Sequence, residues 1–128
     1  MPVQPGLRAK VELVVSESDT AISMNTGEVP VLATPRVATL CEQAAFAAVA
    51  GAVDPGQTTV GMKIQLDHLA PSAIGNRVVA EAVVEKVAGR RVMFTVSVND
   101  ERGLIAAGRI TRVIVDTELF LAKAAGAV

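Results

Sequence analysis

Two residues of the sequence stand where their side-chain chemistry is unexpected. Glu42 lies in the most apolar segment of the chain, "LCEQAAFAAVA", and His68, the single histidine, ends the alternating stretch "VGMKIQLDH". Histidine can act as a base, an acid or an orienting donor near neutral pH, and a carboxylate in apolar surroundings needs a compensating partner. These two side chains are therefore the first candidates for acid–base chemistry.

Each candidate also has an ordinary structural interpretation. Glu42 on the exposed stripe of a helix would be a solvated charge, because charged residues are rarely fully buried. His68 on the apolar face of a strand would be a core or interface histidine with its hydrogen bonds satisfied. Its place at a strand end favours a site, since strand ends border the loops that carry function. The pattern alone leaves both alternatives open.

A helix start and a strand glycine are further candidates. Thr34 is predicted to be the N-cap of a helix, with Pro35 at its first position. Arg36 and Val37 would then offer N–H groups to a developing negative charge, which is the chemistry of an oxyanion site. Gly61 interrupts an otherwise regular strand, so it marks either a bulge or a close approach of a ligand to the backbone.

No metal or cofactor is expected. The one cysteine, Cys41, cannot form an internal disulfide, and no Cys/His cluster has the spacing of a zinc site. Inside its apolar helix Cys41 is expected to be a small core residue rather than a nucleophile.

The elements that must position these residues form a simple series. Val11, Leu13 and Val15 alternate on a first strand, and Ser16 to Pro30 is a polar, irregular loop or lid. A nearly all-apolar helix follows, which predicts a buried helix. Val60, Met62, Ile64 and Leu66 are predicted to share one face of the next strand, and Gly61 the other. Three more strands begin near residues 76, 90 and 103, separated by hairpin turns at 88–90 and 99–103.

A strand, a buried helix and a run of antiparallel strands indicate an α+β protein whose sheet curls around the helix. This is the hotdog fold, and residues 1–128 are expected to form a single domain of that kind. Five strands cannot enclose the helix, so a second copy is expected to cover the open sheet edge and the helix flank. A homodimer is predicted, with a tetramer as the larger possibility.

Composition excludes several classes of partner. The net charge is −1 and aromatic residues make up 2% of the chain, which argues against nucleic acid. The longest apolar run, 44–53, is half a membrane span, and the first residues lack a secretory signal pattern. A cytoplasmic protein with neither a nucleic-acid nor a membrane partner is expected.

Three segments together resemble the hotdog-fold thioesterases of the fluoroacetyl-CoA thioesterase type. They are "VLATPRVATLCEQAAFAAVAG", "PGQTTVGMKIQLDHLAPSAIG" and "VAGRRVMFTVSVNDERGLIAAGRITRVIVD". The resemblance implies an acyl-CoA thioester hydrolase whose catalytic set is Thr34, Glu42 and His68. Gly61 and Arg112 are the expected substrate-binding residues, and coenzyme A is part of the substrate rather than a cofactor.

The chain departs from the family pattern at two places. Thr111 stands where the family motif has a histidine before the arginine. The fluoroacetyl-specific member has phenylalanines in its lid, whereas "SDTAISMNTGEVPVL" at 18–32 has none. The resemblance therefore implies a small acyl-CoA substrate without identifying the acyl group.

The predicted mechanism has two versions. Glu42 either attacks the thioester carbonyl and forms a transient anhydride, or acts as base for water. Thr34 and Glu42 are eight residues apart, about 12 Å along a helix, so a site shared between two chains would bring them together. The alternative functions are a non-catalytic acyl-CoA-binding module and a hotdog dehydratase or hydratase. Asp67 and His68 are adjacent and point to opposite faces of a strand, which disfavours an acid–base pair between them.

Overall fold

The structure, a computed structural model, describes residues 2–127. Its elements in chain order are β1 (Arg8–Val14), a 3-10 turn (Glu17–Asp19), α1 (Thr34–Val49), β2 (Gln57–His68), β3 (Arg77–Ala88), β4 (Arg91–Asp100), β5 (Gly103–Asp116) and α2 (Thr117–Ala124). The predicted series of one strand, a helix and four strands is confirmed. The short helix α2 was missed, although Asp116 accepts a hydrogen bond from the Leu119 N–H as an ordinary N-cap.

The five strands form one antiparallel sheet in the order β1-β3-β4-β5-β2. Both predicted hairpins are present, and the strands that they join are neighbours. Gly89 and Gly103 have positive φ at the two turns, a conformation that glycine adopts without steric cost. The α+β hotdog architecture is confirmed, with β1 and β2 as the two edge strands.

Helix α1 lies against the concave face of the sheet, mainly over β1 and β3 and much less over β5 and β2. The buried residues of α1 are Val37, Leu40, Cys41, Ala44, Ala45 and Val49. They pack on buried valines, alanines and Phe94 of the sheet. The opposite flank of the helix is open, and Phe46 there is 46% exposed. The nearly all-apolar helix is thus buried on one side only within a single chain.

A β-bulge in β2 changes which residues face the helix. The β2–β5 register pairs Gly61 with Arg112 and Ile64 with Ile110, and it shifts between Gly61 and Lys63. Directly opposed residues share a face of the sheet, and both Arg112 and Ile110 are buried on the concave side. Gly61 and Ile64 therefore face the same side, although they are three residues apart.

The prediction from strict alternation is accordingly wrong for the first half of β2. Val60, opposite Val113, faces the convex side, whereas Gly61 faces the helix. A bulge places one extra residue, here Met62, in a strand without altering its hydrophobic pattern, so periodicity cannot reveal it. The second half follows the prediction, and His68 continues the row that faces the helix.

The predicted loop, Ser16 to Pro30, is irregular apart from its 3-10 turn and is held by buried polar groups. The Asp19 carboxylate accepts hydrogen bonds from the Ser16 N–H (2.8 Å) and from Arg36 Nε (2.9 Å). The Asp19 carbonyl accepts from the Ala33 N–H at 2.9 Å. Asp19 therefore ties the end of β1 to the start of α1. Among residues 2–127, no helix has the length and apolarity needed to cross a membrane.

Candidate active site

Thr34 and His68 meet where the start of α1 reaches the end of β2. Thr34 Oγ1 lies 2.8 Å from His68 Nδ1, within hydrogen-bond distance. The helix begins one residue earlier than predicted, with Ala33 as N-cap and Thr34 as its first residue. The predicted capping role of Thr34 is therefore wrong, because its hydroxyl is directed to the histidine instead.

The expected oxyanion donors at this helix start are also already used. The N–H groups of Arg36 and Val37 both donate to the Ala33 carbonyl, at 3.0 and 3.1 Å. This follows from Ala33 being the N-cap, since the N-cap carbonyl accepts the first hydrogen bonds of the helix. The oxyanion prediction for these two N–H groups is wrong.

The Thr34–His68 pair lies at the edge of a cavity of about 350 Å³. Its other walls come from the loop before α1 and from the segment after β2. Apolar side chains dominate those walls, among them Ala21, Val29, Val31, Leu69 and Pro71. The cavity thus combines a mainly apolar lining with the imidazole of His68 and the hydroxyls of Thr34 and Thr26.

The surroundings of His68 favour its neutral form. Burial lowers the pKa of His68 below its ordinary value of 6.5, and the Ala70 backbone offsets only part of that effect. Its Nε2 atom is buried and has no hydrogen-bond partner within residues 2–127. A neutral imidazole with an unsatisfied nitrogen can accept a proton and, once protonated, deliver it.

A second group of side chains surrounds Glu42. Arg112 Nη1 donates to Glu42 Oε1 at 3.0 Å, and the guanidinium lies 5.7 Å from the centre of the Phe46 ring. The Arg112 side chain is 9% exposed and that of Glu42 is 42% exposed. Glu42 is therefore neither the freely solvated residue nor the fully buried carboxylate that the sequence suggested. It is a half-exposed charge paired with a buried one.

Gly61 makes room for this carboxylate. A Cβ atom at Gly61 would lie 2.8 Å from Glu42 Oε1 and 3.1 Å from Oε2, closer than a side chain there can approach. Of the two alternatives that the sequence left for Gly61, the bulge is confirmed, because the β2–β5 register shifts directly after it. The close approach of a ligand stays a prediction, and a group of the chain itself lies against the Gly61 backbone. In this chain that group is the Glu42 carboxylate.

The five predicted site residues form two groups. Thr34 contacts His68, while Glu42 lies against Arg112 and Gly61. Eight residues of α1 separate the groups, about 12 Å along the helix axis. Within one chain Glu42 is therefore not in contact with the other two expected catalytic side chains, Thr34 and His68.

Two further observations concern residues of the helix and the sheet. Cys41 is a buried core residue, as expected, and burial raises the pKa of its thiol to about 11. Thr59 was missed, although it is buried beside the site and accepts two hydrogen bonds from Arg112. Only the bulge places Thr59 on the helix face, so no sequence signal could identify it. Among residues 2–127, no group of three or more His, Cys, Asp or Glu could hold a metal ion.

Comparisons with known proteins identify the family of this chain. Residues 15–118 match the family model described as fluoroacetyl-CoA-specific thioesterase. The fluoroacetyl-CoA thioesterase of Streptantibioticus cattleyicolor is 33% identical over 93 residues, which are 73% of this chain and 67% of that protein.

Solved structures show the same relationship. A single-residue variant of the fluoroacetyl-CoA-specific thioesterase superposes with a TM-score of 0.91 at 27% identity, covering 100% of this chain and 99% of that one. A thioesterase superfamily member from Thermus thermophilus gives 0.89 at 30% identity, covering 95% and 90%. The chain therefore belongs to the family of fluoroacetyl-CoA-specific thioesterases, hotdog enzymes that hydrolyse acyl-CoA thioesters.

Proposed function

We propose that this chain hydrolyses a small acyl-CoA with Thr34, Glu42 and His68 as its catalytic side chains, and that Gly61 and Arg112 support them. The observation that carries this assignment is the 2.8 Å contact between Thr34 Oγ1 and His68 Nδ1 at the edge of the apolar cavity. The apolar walls suit the acyl group, and the paired Thr34 and His68 are the side chains that we assign to its carbonyl. The relative from Streptantibioticus cattleyicolor acts on fluoroacetyl-CoA, a thioester of this small class.

Glu42 supplies the carboxylate of the reaction. Oε1 accepts the hydrogen bond from Arg112, and Oε2 accepts none from side chains within residues 2–127, so Oε2 is the oxygen free to react. As a nucleophile it would bond to the acyl carbon while the C–S bond breaks, and water would then cleave the anhydride. As a base it would take a proton from the attacking water. In both cases CoA leaves as a thiolate and receives the proton of the attacking water, which the neutral His68 can accept and pass on to the sulfur.

Pre-steady-state kinetics can separate the two versions. An anhydride releases CoA before the free acid, so a covalent route gives a burst of thiol when the second step is slower. General-base catalysis releases thiol and acid together. The readout is the ratio of thiol to acid in the first turnover.

A homodimer brings the two groups of side chains into one site. Helix α1 covers little of the concave face of β2: Ile64 on that face is 41% exposed, and Met62 at the bulge beside it is 49% exposed. A second copy of α1 with its open Phe46 flank is an apolar surface that can cover them. A two-fold contact of this kind places Glu42 of one chain nearer to Thr34 and His68 of the other, and relieves the separation of about 12 Å along α1.

Mixed dimers test the shared site directly. Chains carrying His68→Ala are combined with chains carrying Glu42→Ala, each inactive alone. If a site takes His68 from one chain and Glu42 from the other, each mixed dimer has one intact site and random mixing restores about a quarter of the parent activity. If both residues come from one chain, no mixture regains activity and the shared site is refuted.

The assignment of Glu42 and His68 is tested by release of free thiol from a panel of acyl-CoAs. We expect Glu42→Ala and His68→Ala to lose turnover while remaining folded, whereas Glu118→Ala on α2 keeps the parent rate. Parent turnover in both site variants would refute the catalytic assignment. Retained binding without turnover in the parent protein would instead indicate the binding module.

An acid–base pair of Asp67 and His68, as a dehydratase would need, is disfavoured, because Asp67 is exposed on the face of β2 opposite His68. A single domain over residues 1–128, a tetramer and a cytoplasmic location stay predictions from the sequence.

A further inference from the structure

Thr59 binds the guanidinium of Arg112, which in turn binds the carboxylate of Glu42. It lies on β2 two residues before Gly61 and is 5% exposed. Its hydroxyl oxygen accepts a hydrogen bond from Arg112 Nε at 3.0 Å, and its carbonyl oxygen accepts one from Arg112 Nη2 at 2.8 Å. One residue thus satisfies two of the three guanidinium nitrogens.

These two bonds determine where the third nitrogen points. A guanidinium is planar, so two acceptors on one side fix both its position and the direction of its plane. The remaining nitrogen, Nη1, then faces Glu42 Oε1 at 3.0 Å. Gly61 is the residue opposite Arg112 in the sheet, so no side chain from that position stands between Arg112 and Glu42.

The contacts between Thr59 and Arg112 differ in burial from the contact between Arg112 and Glu42. Both hydrogen bonds between Thr59 and Arg112 are buried, whereas the ion pair with Glu42 is only partly buried. An exposed ion pair is weak when two flexible side chains must be ordered together. Anchoring Arg112 in advance leaves only the Glu42 side chain to be ordered.

We propose that Thr59 is a positioning residue of the reaction, which rests on the role proposed for Glu42. Thr59 fixes the Arg112 guanidinium, and Arg112 binds Oε1 so that Oε2 of the carboxylate is presented to the thioester or to water. Thr59 itself does not touch substrate. Its loss therefore lowers kcat, through the orientation of Glu42, and leaves KM unchanged.

The variants Thr59→Val and Thr59→Ser test this role. Valine keeps the shape and the backbone carbonyl but removes the hydroxyl, whereas serine keeps the hydroxyl. We expect Thr59→Val to lower kcat about tenfold, the effect of one hydrogen bond, with KM within about twofold of the parent. Thr59→Ser should restore most of the parent kcat.

Thr58→Val is the matched control. Thr58 is the neighbouring threonine on the opposite face of β2, opposite Val115, and we expect it to leave kcat unchanged. A second measurement places Thr59→Val in an Arg112→Lys background, where lysine keeps the charge but not the planar fork. If Thr59 acts through Arg112, Thr59→Val should cause no further loss of kcat in the Arg112→Lys background.

The outcomes separate this inference from the proposed function. Loss of activity in Glu42→Ala, together with parent kcat in folded Thr59→Val, would overturn the positioning role alone. Parent activity in folded Glu42→Ala would overturn both. A lower unfolding midpoint with unchanged kcat would make Thr59 merely structural. If Thr59→Val does not fold, Thr59→Ala removes the hydroxyl without adding a methyl group against the guanidinium, and its kcat decides.

Discussion

Replacing Gly61 with alanine tests whether the position of Glu42 governs the reaction. The new methyl group would lie 2.8 Å from Oε1, 3.1 Å from Oε2 and 3.3 Å from the carboxyl carbon. The φ of Gly61 is outside the left-handed region, so alanine fits the backbone. The Glu42 carboxylate, at the end of a half-exposed side chain, is therefore the group that must move.

The size of the effect follows from the contact that is lost. A hydrogen bond to a charged group contributes about 1.5–3 kcal/mol, so losing the Arg112 contact in the reacting geometry lowers kcat about 10- to 100-fold. The free energy of unfolding should change by about 1 kcal/mol or less. The Glu42 side chain is 42% exposed, and Arg112 keeps both oxygens of Thr59.

The assay combines thiol release with urea unfolding, and Gly51→Ala is the control because a Cβ there meets nothing within 4 Å. Gly108→Ala gives the contrasting case, since its Cβ would overlap the Gln65 carbonyl oxygen and must distort the backbone. A folded Gly61→Ala with kcat within twofold of the parent would refute the reasoning that the placement of Glu42 matters.

Three other predictions concern the first group of site residues and the loop. Thr34→Val should lower kcat yet leave the free energy of unfolding within about 0.5 kcal/mol, because Thr34 is not the cap; a loss of about 1 kcal/mol in urea unfolding would contradict this. Because burial lowers the pKa of His68, the folded state binds fewer protons than the unfolded state between pH 6.5 and the lowered folded pKa. The free energy of unfolding should therefore fall as the pH falls below 6.5. If His68→Gln shows the same dependence of this free energy on pH as the parent, the prediction is disproved. Burial raises the pKa of Asp19, but hydrogen bonds from Ser16 and Arg36 lower it below 3.8 overall. Asp19→Asn should then lower the free energy of unfolding by about 3 kcal/mol near neutral pH. This difference from the parent should disappear in acid, because the parent's Asp19 is protonated as the pH falls through its lowered pKa.

Local patterns were sufficient for the elements other than α2 and for most of the candidate residues. The helix over α1, the two hairpins and the run of antiparallel strands each depend on residues close in the chain, such as Pro35 near the helix start and glycines at the turns. Glu42 and His68 were found because a charge and an imidazole interrupt apolar patterns. These signals exist in the sequence before any tertiary contact forms.

Errors arose where one residue depended on a distant one. Thr34 has the side chain of an N-cap, yet its hydroxyl binds His68, 34 residues away. Alternation placed Gly61 on the wrong face, because a bulge is defined by pairing with β5. The family resemblance alone pointed to Arg112, as a substrate-binding residue, and only its tertiary contacts with Thr59 and Glu42 show that the guanidinium is buried.

The sequence by itself determined the fold class, the family resemblance and the residue types able to carry acid–base chemistry, because periodicity, turn residues and motif order are local properties. Only the tertiary structure decided how those residues are grouped. It joined Thr34 to His68, held Glu42 with Arg112 and Thr59, and left α1 and β2 open on one flank. Side-chain grouping depends on strand register and on the bulge at Met62, and both are set by contacts between segments far apart in the chain.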